Sequence, residues 1–110
     1  MNELDVEISI LVNSAGKAHL NLIQNHTVDM CFFMINVNVN AMVFLSRYYG
    51  EKFLKKNQEL VASGCHKRSA IINFSSIVAY TGEAQKLSLY SATKGFNRIF
   101  SLSLTADYAS

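Results

Sequence analysis

Two stretches of the chain carry the polarity pattern of strands, and two longer ones repeat their apolar residues at helical spacing. Val6, Ile8, Ile10 and Val12 alternate with Glu7 and Ser9, and Leu11 joins near the end. A period of two predicts a strand of about seven residues, more buried toward its C-terminal end. It runs into Asn13-Ser14-Ala15-Gly16. Small, turn-forming residues there make either an ordinary strand exit or a place where backbone can approach a ligand closely. Residues 16–26 are polar and irregular. Thr27 suits a helix N-cap and Asp29 the first turn, where a carboxylate favours the helix dipole. Phe33, Val37, Ala41, Phe44, Leu45 and Tyr48 then recur on one helical stripe. A helix over residues 28–57 is predicted, with Lys55 and Lys56 at its C-terminal end. Residues 58–69 form a polar loop containing Gly64. Ala70-Ile71-Ile72-Asn73-Phe74 is a short, nearly continuous apolar run and reads as a buried parallel strand ending in Ser75-Ser76. After a loop through Gly82, a helix is predicted over residues 89–107, its apolar side carried by Leu89, Ala92, Phe96, Ile99, Phe100 and Leu104.

Strand, helix, strand, helix is the order of an α/β fold, here part of a doubly wound parallel sheet. Right-handed crossovers bring both strand C-termini to one edge of such a sheet, which is where open α/β sheets bind ligands. Residues 13–16, Ser75-Ser76 and the start of the last helix therefore converge on one place.

The first long helix has rival readings. Residues 28–46 are nearly uncharged and about long enough to span a bilayer. Asn36, Asn38 and Asn40 in their middle would be costly in lipid. Asn36-Val37-Asn38-Val39-Asn40 also alternates like a strand, but the flanking helical period outweighs five residues. Asparagines inside an apolar helix either face a polar site or hydrogen-bond nearby backbone.

Composition narrows the classes. With 110 residues the chain is at most one domain. Half of it is hydrophobic and 16% charged, which suits a globular domain rather than a disordered one. A net charge of +2 gives no ground for nucleic-acid binding; Lys52, Lys55, Lys56, Lys67 and Arg68 read as a solvated helix end and loop. Cys31 and Cys65 form no CxxC and read as reduced thiols. His19, His26 and His66 lack metal-ligand spacing. The acidic N-terminal residues do not resemble a signal peptide. Proline is absent, so long helices meet none of their usual breakers.

Candidate chemistry lies in Tyr90-Ser91-Ala92-Thr93-Lys94. A Tyr and a Lys four residues apart share one helix face. A neighbouring ammonium stabilises a phenolate and so makes a phenol a better proton carrier. By itself such a pair is more often surface packing. Its weight comes from the strand ends it follows.

Taken together these residues resemble the short-chain dehydrogenase/reductase family along essentially the whole chain. Asn13-Ser14-Ala15-Gly16 is similar to the family's N-N-A-G after its fourth strand. Asn38 matches the asparagine of its fourth helix. Ser75-Ser76 ends the fifth strand, where the family has a catalytic serine, and Tyr90 with Lys94 matches Y-x-x-x-K. The resemblance implies interconversion of an alcohol and a carbonyl using NAD or NADP. Tyr90 would be the general acid or base. Lys94 would favour the ionised phenol and bind the nicotinamide ribose. Ser76, preferred to Ser75 for its spacing from Tyr90, would orient the substrate oxygen, and Asn38 would hold a water linking Lys94 to solvent. Asn13, Ser14, Ala15 and Gly16 would line the cofactor, together with Tyr90 and Lys94. It implies a small-molecule substrate, no nucleic acid, and pairing of two copies through the long helices. The phrasing around residues 71–76 and 90–94 looks closest to the branch of 17-beta-hydroxysteroid dehydrogenases and 3-oxoacyl-CoA reductases. This placement implies the cytoplasm or the cytosolic face of the endoplasmic reticulum, with no membrane association evident in the segment itself.

The departure from the family is large. The glycines at 16, 50, 64, 82 and 95 contain no T-G-x-x-x-G-x-G, the family's cofactor loop. The chain is expected to be the central catalytic segment, strand 4 to helix 5, of one Rossmann-type domain, without its glycine-rich beginning or its substrate-binding end. A two-stranded sheet with bare apolar edges is marginal. The chain alone is therefore expected to fold poorly and to be inactive, and a fragment acting only by association is the alternative function.

Overall fold

The computed structural model describes residues 6–109. Strand β1, Ile10–Asn13, pairs in parallel with β2, Ala70–Asn73, in the register Ile10 to Ala70 and Asn13 to Asn73. β1 is shorter than the alternation from Val6 predicts because β2 offers only four residues to pair with. The ladder is extended by Ala70 N donating to Ser9 O and Phe74 N to Asn13 O, each at 3.1 Å.

Between the strands, a 3-10 turn at Ile23–Asn25 precedes helix α1, Val28–Ile35. Thr27 caps it as expected, its Oγ1 accepting from Met30 N at 3.1 Å. The helix widens into a π turn at Asn36–Asn40 and continues as α2, Ala41–Ala62. It thus runs beyond residue 57, and Lys55 and Lys56 lie inside it. Nothing in residues 58–62 breaks a helix. Gly64 does, in a left-handed conformation with φ 80°, while Cys65 N donates to Leu60 O and Gly64 N to Val61 O. After β2, the predicted loop contains a short helix α3, Val78–Thr81, closed by Gly82 at φ 64°. Helix α4 spans Ser88–Ala109, close to its predicted limits.

The two helical apolar stripes are the main correction. Phe33, Phe44, Phe96 and Ile99 are 41–55% exposed. The row that α1, the π turn and α2 bury is Met34, Asn38, Met42, Ser46, Tyr49, Gly50 and Phe53, and α4 buries Thr93, Lys94 and Asn97. Small and polar residues let the helices approach. A Cβ at Gly50 would overlap the Tyr108 hydroxyl. The strands follow the same rule. Asn13 and Asn73 turn toward the helices through hydrogen bonds to Ser46 and Ser101. Ile10, Val12, Ile72 and Phe74 on the other face are 48–57% exposed. The expected burial of residues 70–74 is therefore not met, because among the described residues helices cover one face of this sheet only.

By length and composition residues 28–62 could cross a membrane. In the fold, this helix instead packs Asn38 against Lys17 and Thr93, and Asn40 Nδ2 bonds Asn36 Oδ1 at 2.7 Å.

Candidate active site

Parallel pairing in this register sets Asn13 and Asn73 side by side at the strand ends. Asn13 Nδ2 donates to Asn73 Oδ1 at 2.8 Å and to Ser46 Oγ at 3.2 Å. Asn73 Nδ2 donates to Ser101 Oγ at 2.9 Å. A row of amides and hydroxyls thus ties α2, both strands and α4 together. The two amide hydrogens of Asn13 are thus both committed within this row.

Beyond the strand ends, the chain opens a cleft of about 420 Å³ lined by Ser14, Gly16, Ala18, Phe74, Ser75, Tyr90 and Lys94. Gly16 suits the close approach. A Cβ there would lie 3.2 Å from Lys94 Nζ and 3.6 Å from Asn38 Oδ1. Lys94 Nζ also stands 5.8 Å from the centre of the Tyr90 ring. Lys94 is only 4% exposed, and this burial lowers its pKa from the ordinary 10.5. It forms no ion pair among the described residues. Ammonium, phenol and the glycine turn therefore meet as the strand order predicts.

Asn38, 1% exposed, binds the turn after β1 from both sides. Its Oδ1 accepts from Lys17 N at 2.7 Å and its Nδ2 donates to Lys17 O at 2.9 Å. Nδ2 also donates to Thr93 Oγ1 at 3.0 Å, which in turn donates to Tyr90 O at 2.7 Å. One asparagine so fixes the glycine turn against the helix that carries Tyr90 and Lys94. A π turn re-aims side chains within a helix and is common at functional sites; here Asn38 lies at its centre.

The two serines differ. Ser75 lines the cleft, and its Oγ donates to Lys94 O at 2.7 Å, joining the strand end to α4. Ser76 lies one residue further, half-buried, with its Oγ accepting from Val78 N at 3.4 Å; it is not among the residues lining the cleft. Lys17, Ser46, Thr93 and Asn97 belong to the network although the sequence pattern did not single them out. Thr93, Asn97 and Ser101 at i, i+4 and i+8 were the available signal, a polar row beside Lys94.

A second cavity, about 350 Å³, lies at the opposite strand ends between Phe53, Asn57, Ser69, Leu104 and Tyr108. Burial first, and the Asp107 carboxylate second, raise the Tyr108 pKa above its ordinary value. The described residues hold no group of three or more metal-ligating side chains, and Cys31 and Cys65 are free thiols.

The profile of the family described as short chain dehydrogenase matches residues 2–110. No curated protein matches the chain. Among solved structures, a short-chain dehydrogenase from Sphingobium yanoikuyae in complex with NADPH superposes with a TM-score of 0.81 at 27% identity, over 96% of this chain and 37% of that one. Serine dehydrogenase from Escherichia coli gives 0.76 at 30% identity, over 91% of this chain and 41% of its own. A 4-hydroxyisoleucine dehydrogenase complexed with NADH gives 0.74 at 21%, over 92% and 40%, a likeness of fold. The chain spans about two fifths of the length of these structures.

Proposed function

This chain belongs to the short-chain dehydrogenase family, and from that premise we propose that it carries the proton-handling half of an NAD(P)-dependent alcohol–carbonyl oxidoreductase. The observation that carries this reading is the single cleft in which Tyr90, Lys94 and the Ser14–Gly16 turn meet beyond two parallel strand ends. In reduction, the Tyr90 hydroxyl gives its proton to the carbonyl oxygen as that oxygen gains negative charge. In oxidation, the phenolate takes the alcohol's proton back. The Lys94 ammonium compensates the charge left on the Tyr90 oxygen. Ser75 in the cleft wall spends its hydroxyl proton on the Lys94 carbonyl, so the hydroxyl assigned to orient the substrate oxygen is that of Ser76, one residue beyond the wall. Asn38 holds the glycine turn in place and keeps a water between Lys94 and solvent.

Gly16 has no Cβ and Ser14 and Ala18 are small, so this wall would accept a flat ring, and Lys94 would hold the ribose. When bound, the nicotinamide supplies or accepts the hydride. None of the glycines provides a glycine-rich helix start for a pyrophosphate. A steroid or fatty-acyl carbonyl is the proposed substrate class, supported by the phrasing of residues 71–76 and 90–94.

Replacing Tyr90 by Phe in the polypeptide that carries this chain should lower kcat by roughly 10²–10⁴-fold, the usual contribution of a positioned proton donor. Retained turnover would refute the assignment.

A second reading, association without catalysis, is favoured by one observation. Apolar residues of both long helices, Phe33, Phe44, Phe96, Ile99 and Leu102, stand exposed. Pairing with another copy or an intact relative through these faces, with no cofactor bound, would support it. The bare sheet face supports the expectation that the 110 residues alone fold poorly. Soluble, monomeric protein that melts cooperatively would overturn that expectation.

A further inference from the structure

We propose that Asn97 is a positioning residue for the site, holding the π turn of the first long helix so that Asn38 keeps its grip on the glycine turn. Asn97 is 1% exposed and lies one helical turn beyond Thr93 on the buried face of α4. With its amide nitrogen facing the available acceptors, it donates to Asn38 O at 2.8 Å and to Thr93 O at 3.2 Å. The first bond crosses between the helices, and it ends on the backbone of the residue whose side chain binds Lys17 and Thr93.

The physical need is specific. Where a helix shifts to i+5 pairing its ladder is disturbed, and such a turn persists when outside groups hold it. Here, Ala41 N reaches back to Asn36 O, so the irregular pairing spans Asn38. An apolar residue at 97 would leave the Asn38 carbonyl with one partner fewer in a dry seam. The π turn would then be free to relax toward regular α pairing, which would rotate Asn38 around the helix axis. Its amide would leave the Lys17 peptide, and the Gly16 turn would lose its fixed distance from Lys94 Nζ. Asn97 does not itself line the cleft, although its amide lies 3.4 Å from the backbone carbonyl of Phe74, which does. It acts through Asn38, and the same bond also sets how closely α4 approaches the π turn.

The inference rests on the oxidoreductase reading only for its effect on turnover. The test is therefore made on two levels in the polypeptide that carries this chain. Asn97→Leu keeps the branching at Cγ, adds some volume, and removes both donations. Asn97→Asp keeps the shape and replaces a donor by an acceptor facing two carbonyls. Backbone hydrogen exchange across residues 36–42 should become roughly tenfold faster in both variants, the loss of about one buried hydrogen bond. Residues 50–60 at the far end of α2 should be unchanged. Exchange that is unaltered at 36–42, or raised equally throughout the helix, would overturn the proposal. In the active enzyme, kcat should fall while KM for the nicotinamide nucleotide stays within about twofold, and the pH profile of kcat should shift. Unchanged kcat and pH profile with accelerated local exchange would overturn the positioning role and leave a structural one. If no variant-independent turnover exists at all, the oxidoreductase reading fails while the exchange result still judges Asn97. Should Asn97→Leu not fold, Asn97→Asp, which keeps the outline of the side chain, carries the test alone: exchange should quicken at residues 36–42 and not at residues 50–60.

Discussion

The seam between the two long helices and their outward faces differ in the opposite sense to an ordinary amphipathic helix. The seam buries Asn38, Thr93, Lys94 and Asn97 beside Met34 and Met42. The outward faces show Phe33, Phe44, Phe96, Ile99 and Leu102, with Phe96 and Phe100 stacked at 5.6 Å. Specific hydrogen bonds hold the inside, and apolar area is left outside. A polar seam fixes geometry closely, because each buried donor or acceptor must find one partner in one place. Apolar faces tolerate many partners and specify little by themselves. The division gives the segment an interior of fixed geometry and an exterior open to other protein surface.

Three substitutions test this contrast. Asn38→Leu should have the largest effect on folding, about 2–3 kcal/mol measured by urea unfolding of the polypeptide that carries the chain. It leaves the Lys17 peptide and the Thr93 hydroxyl without their partner. A cost below about 0.5 kcal/mol would show that the polar seam is not what holds the helices together.

Lys94→Met should act in the other direction. Burial lowers the Lys94 pKa from 10.5. Below that value the unfolded chain holds a proton that the folded chain holds less firmly. Stability therefore rises with pH through the window between the lowered pKa and 10.5. Methionine removes the cost of burying the charge, so the variant should be more stable than the parent at neutral pH. Its advantage should shrink as pH approaches 10.5. Turnover should be lost even as stability is gained. An advantage that does not vary with pH would remove the charge from the explanation.

Phe96→Ser should be the mildest. Phe96 is 41% exposed, and its loss should change unfolding free energy by no more than about 0.5 kcal/mol. Sedimentation should nevertheless show weaker self-association. Strong destabilisation would mean that the outward face is part of the fold's own core.

The sequence by itself determined the element order, the parallel strand pair, the Thr27 cap and the strand edge where Gly16, Tyr90 and Lys94 meet. Each depends on local signals. A period of two or of about three and a half residues sets the element type, and chain direction then brings both strand ends to one edge. Gly16, Tyr90 and Lys94 were legible for the same reason, since a turn and a helical spacing of four fix their neighbourhood. Only the tertiary structure decided which side of each helix is inside. Apolar periodicity locates a face that avoids water, but it does not say whether this chain or another surface covers it. Asn97, Thr93, Lys17 and Ser46 were hidden because their partners lie far off along the chain, 21 residues away for Lys17, 33 for Ser46 and 55 for Thr93. Such pairings have no sequence period. They exist only once the glycine turn, the π turn and the last helix have been brought together, and that closure is also what turns Asn13 inward and sets Lys94 against Gly16.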